Sequence, residues 1–273
     1  MSEKLVIDNF GHEWKKFNNF KANDLKLKKI FDDYFHIFPK NKFLNKKNVG
    51  ADIGCGSGRW SIFIASKVKR LYCIDPSESL DVAKKNLKKF KNCVFLKQSV
   101  YNLRVRDQFF DFAYSLGVLH HIKNTEKGLK NCVKKLKKNS PFLLYLYYNF
   151  DNRSLFYYFL WYLSNLLRLI ISRLPNNIKN VICDIIALLI YYPFSRISYI
   201  LSLAGINTKN FPLSYYKDKK FYIMRNDSLD RFGTIIEKRF SRKEIKKMMI
   251  SSGLKNIKFS EKAPYWCAVG FKK

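Results

Sequence analysis

Acidic side chains are scarce in this chain. Its 273 residues hold 21 Asp and Glu against 52 Lys and Arg, a formal net charge of +31. So one-sided a balance biases encounters toward anions, whether nucleic acid or membrane. Arginine is scarce too, at 12 of the 52 basic residues. Nucleic-acid contacts lean on its bidentate fork, which argues against that partner, and no RRM-type signature is present. The abundance of Lys, Asn, Ile, Phe and Tyr also fits the plain compositional drift of an AT-rich genome. No Cys-x-x-Cys pair occurs: Cys55, Cys73, Cys93, Cys132, Cys183 and Cys267 stand apart. That excludes a disulfide framework and reads as reduced thiols of a cytoplasmic protein. His12 and His36 stand alone, so no zinc spacing exists and no metal is expected. The N-terminus has Glu3 and Asp8 and no apolar core, so no signal peptide is expected.

Long apolar runs are also lacking. Residues 154–167 are 14 residues without a charge, then Arg168 interrupts; residues 181–192 contain Asp184 and stop at Pro193. Neither reaches the roughly 18–20 residues that span a bilayer. Buried helices of an inserted cap are one reading. A second is a cap that also touches an anionic membrane from the side, with aromatic faces and flanking cations.

What is present is organised around residues 49–60, Val-Gly-Ala-Asp-Ile-Gly-Cys-Gly-Ser-Gly-Arg-Trp. This reads as a buried strand, a glycine turn and the start of a helix over about 58–69. Bare backbone at Gly54, Gly56 and Gly58 lets a ligand approach closely, and free N–H groups at a helix start would face it. A P-loop is excluded, because Arg59-Trp60 follows Gly58 where Lys-Ser/Thr is needed. The dinucleotide fingerprint is excluded by the arginine at 59. The remaining G-x-G-x-G spacing alone fits an ordinary turn. A second apolar run, 71–74, ends in Asp75, near the ~20-residue spacing of an acid that binds ribose hydroxyls.

This stretch resembles motif I of the class I S-adenosylmethionine-dependent methyltransferases, and Asp75 resembles their ribose-binding acid. Residues 110–121, Phe-Asp-Phe-Ala-Tyr-Ser-Leu-Gly-Val-Leu-His-His, resemble the fourth-strand motif of the small-molecule branch. The tail 259–270 resembles that of a bacterial subgroup. The resemblance implies S-adenosylmethionine as cofactor, held by Asp52, Gly54, Gly56, Gly58, Asp75, Ser99, Val100 and Leu116. Ser99 stands where the family commonly has an acid for the adenine amine, so Gln98 or the Val100 backbone would share that role. The resemblance also implies an α/β, doubly wound, mostly parallel seven-stranded sheet with an antiparallel last strand and a helical insertion after strand five. The alternation of strands and helices independently gives a parallel sheet covered on both faces.

Residues 1–45 are expected to form a helical flap or packed helices, 46–150 the cofactor-binding core, 151–240 the apolar insertion or acceptor cap, and 241–273 a closing helix and strands. Ser77 is the expected cap of the helix with Leu80, Ala83 and Leu87, and Ser241-x-x-Glu244 is a capping box. His120 and His121 follow strand four and are candidate general bases, against a merely packing role. Trp14, Tyr147, Arg225 and Tyr265 are candidate acceptor-pocket residues, with ordinary packing as the alternative. Asn/Asp-Pro-Pro-Tyr/Phe is absent, since 115–118 read Ser-Leu-Gly-Val, which argues against adenine or glutamine nitrogen as acceptor. Three functions remain: methyl transfer to a small-molecule or lipid- or glycan-linked acceptor, RNA methylation through the basic surface, or a homologue that binds cofactor without catalysis. The sequence leaves the oligomeric state open.

Overall fold

Seven apolar runs become the strands β1 (Val49–Ile53), β2 (Arg70–Ile74), β3 (Cys93–Leu96), β4 (Phe112–Leu116), β5 (Pro141–Tyr145), β6 (Leu254–Phe259) and β7 (Ala268–Lys272). The computed structural model describes residues 3–16, 24–151, 155–208 and 211–273, without the side chains of residues 3 and 13–15. The strands form one sheet in the order β3-β2-β1-β4-β5-β7-β6. β1 to β5 run parallel, and β7 enters antiparallel to both β5 and β6.

The central strands β1 and β4 are almost wholly buried and largely apolar because both faces are covered. Side chains alternate along β1. Ala51 and Ile53 join one core with Leu129, Val133 and Met249. Asp52 points the other way, toward Cys73 and Tyr114. That second core is filled by α2 (Leu25–Phe35), which buries Leu27, Ile30, Phe31 and Phe35. Asp24 caps it, its side chain accepting from the backbone N–H of Lys26 and Leu27. α1 (Glu3–Lys16) and the short α3 (Lys40–Phe43) complete the N-terminal part; α4 (Ser79–Asn86) and α5 (Thr125–Lys134) cover the sheet. α10 (Arg242–Ser251) begins at the expected capping box, with Ser241 and Glu244 each accepting from the other's backbone.

One local expectation is corrected. Residues 58–69 are not one α-helix but turns with two 3-10 segments, Ser61–Phe63 and Ala65–Lys67. Trp60, Ile62, Phe63 and Ile64 are poor helix formers, and all four are buried. No regular helix N-terminus therefore faces the glycine turn. The residue just before α4 is Glu78, without a side-chain bond; the Ser77 hydroxyl accepts from the Ser79 N–H at 3.3 Å, as expected of a cap, and also donates to Asp75.

The chain divides into two units, 1–153 with 236–273, and 154–235. The second unit holds α6 (Leu155–Ile171), α7 (Asn176–Ile186), α8 (Tyr192–Leu203) and α9 (Phe221–Gly233). Here the expectation that the apolar run stops at Pro193 is overturned. A π-helical segment, Ala187–Tyr191, joins α7 to α8, so one helix runs from Asn176 to Leu203. Widening the turn just before Pro193 accommodates a ring that has no N–H to give and would otherwise crowd the preceding turn. By length and composition this helix is long and apolar enough to cross a membrane.

Candidate functional site

The carboxyl ends of β1 and β2 meet at the glycine turn. The N–H groups of Gly54 and Cys55 both donate to the Ile74 carbonyl, at 2.7 and 3.1 Å, and so fold the turn back onto β2. The Gly56 N–H donates to Asp75 Oδ2 at 2.9 Å. Asp75 Oδ1 accepts from the Ser77 N–H at 2.9 Å and from the Ser77 hydroxyl at 2.6 Å. A carboxylate offers roughly four acceptor positions, so three are engaged by the protein itself.

Two glycines do different work. Gly54 has φ +78°, and a Cβ there would lie 2.4 Å from Val118 Cγ2. Bare backbone at this position is what lets the turn pass beneath the chain that follows β4. Gly58 has φ +79°, and its added Cβ would lie 2.9 Å from Leu87 Cδ1. Its bareness therefore serves packing beside α4.

Above the turn lies a small cleft of about 50 Å³, partly open to solvent. Gly54, Ile74 and Pro76 form its floor side. Gln98, Ser99 and Val100 come from the segment after β3. Val118, His121, Ile122 and Lys123 come from the segment after β4. Val6 and Ile7 of α1 and Ile236 complete it. α1 reaches across the site: the Phe10 ring is 4.8 Å from that of His121, and a Cβ on Gly11 would come within 3.4 Å of Glu78 N.

The expected site residues thus separate. Gly54, Ser99, Val100 and His121 line the cleft; Gly56 and Asp75 do not, although Asp75 lies between the lining residues Ile74 and Pro76. Asp52, Gly58, Leu116 and His120 do not line it. Leu116 belongs to the core beside α2. Asp52 accepts from the Ser61 hydroxyl at 2.6 Å and is wholly buried, which pushes its pKa up to about 7. Gln98 Oε1 is engaged by the Arg104 N–H at 2.9 Å, and the Val100 carbonyl by Asn131 Nδ2 at 3.2 Å.

The histidines differ sharply. His121 Nδ1 lies 2.7 Å from the Ile236 carbonyl. In the neutral ring that bond puts the proton on Nδ1 and leaves Nε2 as the acceptor. His120 is buried and stacked on Tyr147, with ring centroids 3.9 Å apart. Burial, then the charges of His121 and Arg239, holds its pKa well below the usual histidine value. Among the described residues neither His120 ring nitrogen has a hydrogen-bond partner.

Of the acceptor-pocket candidates, Tyr147 packs against this histidine pair, and Arg239 lies over its ring at 5.1 Å. Tyr265 packs against Tyr148 and Trp266. Arg225 is in the second unit, where its guanidinium forks onto Asp184 at 3.0 and 2.6 Å. The Trp14 side chain lies outside the described residues.

Sequence reasoning missed Lys123, Val118 and the strap 236–240. The strap is fixed by main-chain bonds from Lys238 N to the His120 carbonyl (3.1 Å) and from Phe240 N to the Tyr147 carbonyl (2.8 Å). Nothing local in 236–240 signals such a distant pairing. Lys123 was legible as the first charge after the His-His pair, two residues on.

Residues 51–144 match the methyltransferase domain family. A probable cobalt-precorrin-6B C(15)-methyltransferase (decarboxylating) of Methanocaldococcus jannaschii is 36% identical over 95 residues, 34% of this chain and 49% of that protein. A probable tRNA methyltransferase 9B of Mus musculus is 29% identical over 112 residues, 39% of this chain and 24% of that protein. The chain therefore spans about half the length of the archaeal relative and about a quarter of the mammalian one. Among solved structures, an S-adenosylmethionine-dependent methyltransferase from Thermotoga maritima, described as a possible histamine N-methyltransferase, superposes with a TM-score of 0.52. It is 15% identical, with 98% of both chains covered, so the likeness is one of fold. Residues 51–144 thus match a methyltransferase domain, and the sheet they belong to has the fold of class I S-adenosylmethionine-dependent methyltransferases.

Proposed function

We propose that the protein transfers the methyl group of S-adenosylmethionine to a small-molecule or lipid- or glycan-linked acceptor. The observation that carries this reading is the bond from the Gly56 N–H to the Asp75 carboxylate, next to the cleft-lining residues Gly54, Ile74 and Pro76. It sets a bare-backbone turn and a buried acid side by side where strands β1 and β2 end.

The fit of the cofactor rests on the chain's own atoms. The bare backbone of Gly54 lets the turn lie directly against Val118, and both residues line the cleft. Ile74, Pro76, Val118 and Ile122 offer apolar walls for a nucleoside. Asp75 would hold the ribose. To accept from two hydroxyls it must release at least one of its three present donors, and the Ser77 hydroxyl, which rotates, is the natural one. Ser99 and Gln98 would meet the base. The bound cofactor supplies an electrophilic methyl group on a sulfonium.

The protein's main task is then alignment, which can supply much of the rate. An acceptor that bears a proton also needs a base. His121 lines the cleft, and its Nε2 would be the base, with the tautomer set by the Ile236 carbonyl. Buried His120 backs it and stays neutral. Val6, Ile7 and Phe10 of α1 help exclude water.

Two measurements test the proposal. Calorimetry reads cofactor binding directly, and extracts incubated with methyl-labelled cofactor identify the acceptor. Transfer of label to a soluble or lipid-extractable compound supports it; label in RNA alone contradicts it. RNA methylation is the second reading, favoured by the net charge of +31 and by the similarity to a probable tRNA methyltransferase. It requires RNA affinity with a steep salt dependence.

A further inference from the structure

The helical unit 154–235 has an inverted distribution of polarity. All but three of the exposed large apolar side chains among the described residues lie in it; the exceptions are Leu5, Leu25 and Ile250. Leu203 is 71% exposed, Ile170 66% and Leu189 65%. The unit's interior is the reverse. Nine of its sixteen buried side chains, among the described residues, are polar or charged. Five of them, Arg168, Lys179, Ser195, Ser228 and Thr234, are bonded within the unit, while the Ser198 hydroxyl has no hydrogen-bond partner among the described residues. Arg168 Nη1 donates to the carbonyls of Thr234 and Ile235 at 2.9 and 3.0 Å, and the Ser228 hydroxyl to the Cys183 carbonyl at 2.8 Å. Around them the Arg225–Asp184 fork and the bond from the Tyr216 hydroxyl to Asp227, 3.0 Å, join half-buried groups. The twelve largest fully buried side chains of the molecule are all in the sheet unit. A domain folded in water buries its apolar groups and exposes its polar ones. One folded in hydrocarbon satisfies polar groups internally, uses small residues where helices meet and turns apolar side chains outward.

We infer that α6, α7 and α8 seat in the hydrocarbon of a lipid bilayer with anionic headgroups. Residues 155–206 contain only five charges, at Arg168, Arg173, Lys179, Asp184 and Arg196. Cations flank the apolar helices in sequence: Arg173 lies between α6 and α7, and Lys217, Lys219 and Lys220, with Asp218 among them, lie between α8 and α9. That is where anionic headgroups would meet them. The 28 residues of the Asn176–Leu203 helix reach about 42 Å at 1.5 Å per residue, against a hydrocarbon thickness of ~30 Å. The chain leaves the sheet unit at 153 and rejoins it at 236. However deep the helices go, they return to the side they entered from. A second copy of the chain would also cover an apolar face, but a water-soluble dimer gives no reason for the polar interior. The inference stands apart from the methyl-transfer reading, because it concerns only where the helical unit resides.

The test is flotation of the full-length protein with vesicles of phosphatidylcholine alone and with about 30% phosphatidylglycerol, at about 0.1 M and about 1 M NaCl. The expected result is flotation with the anionic vesicles that survives high salt. Leu166→Asp with Leu189→Asp should cost roughly a hundredfold or more in vesicle affinity, while Ile250→Asp on the sheet unit leaves it unchanged. Release by salt, which marks adsorption alone, overturns the inference. So does a wild-type protein that stays in the soluble fraction as a detergent-free monomer or dimer. The wild-type arms decide even if the double variant fails to fold. Flotation is read without cofactor, so its failure is distinct from failure of the methyltransferase reading, which calorimetry reads.

Discussion

The backbone N–H of Gly56 donates to Asp75 Oδ2 at 2.9 Å, joining the turn after β1 to the residue after β2 across 19 positions of sequence. One bond thus ties together the chain ends of β1 and β2 beside the cleft-lining residues Gly54, Ile74 and Pro76. The acid is oriented before any ligand arrives, by the same turn whose bare backbone the ligand would approach.

Replacing that acid tests its role. Asp75→Ala should weaken cofactor binding by roughly 1.5–3 kcal/mol, the scale of a hydrogen bond to a charged group. Calorimetry measures the affinity, and a circular-dichroism melt verifies that the variant is folded. Unchanged affinity would place the ribose elsewhere.

Gly54→Ala meets two penalties, a left-handed φ of +78° and a Cβ 2.4 Å from Val118 Cγ2. Together they should destabilise by about 2–5 kcal/mol. Adding Val118→Ala should recover the steric part and leave the backbone part. Denaturant unfolding of the two single variants and the double variant gives the coupling; strict additivity would show that the two sites do not touch.

Asp52 is expected to make stability depend on pH. Its folded pKa is raised from 3.8 to about 7, mainly by burial. The folded state then binds more protons than the unfolded state between these values. The stabilisation is fully present below about 3.8 and is lost as pH rises through about 7. Asp52→Asn keeps an acceptor for the Ser61 hydroxyl and removes the titration. The stability difference between wild type and this variant should shift by up to about 4 kcal/mol from pH 4 to pH 8. A difference flat with pH would mean that Asp52 titrates normally.

The two histidines should separate kinetically. With the acceptor in hand, His121→Gln should slow turnover by about 10²–10⁴-fold if a proton must be removed, with cofactor affinity nearly unchanged. His120→Phe should keep turnover within about tenfold, because His120 lies behind His121 and does not line the cleft. The reverse ranking would transfer the base role to the buried ring.

Much of this was legible in the sequence. Buried parallel strands read as short apolar runs, so β1 to β5 stood out, and the spacing from the glycine turn to Asp75 located the acid before any coordinates. Long-range and cooperative features did not. The 3-10 winding of 61–67 follows from packing on every side of Trp60 to Ile64, which periodicity cannot register. The helix through Pro193 depends on a π turn that no residue type announces. The bond from His121 to the Ile236 carbonyl spans 115 positions, across the whole helical unit. The polar interior of that unit was hidden because Ser, Asn and Arg in helices read as outward-facing until their partners are seen.

Isothermal titration of the wild-type protein with S-adenosylmethionine and with its demethylated product tests the central claim most directly. Saturable binding of both at one site per chain is expected. If neither binds at about millimolar concentration, a limit of roughly 4 kcal/mol, the cleft above Gly54 and Asp75 holds no such cofactor.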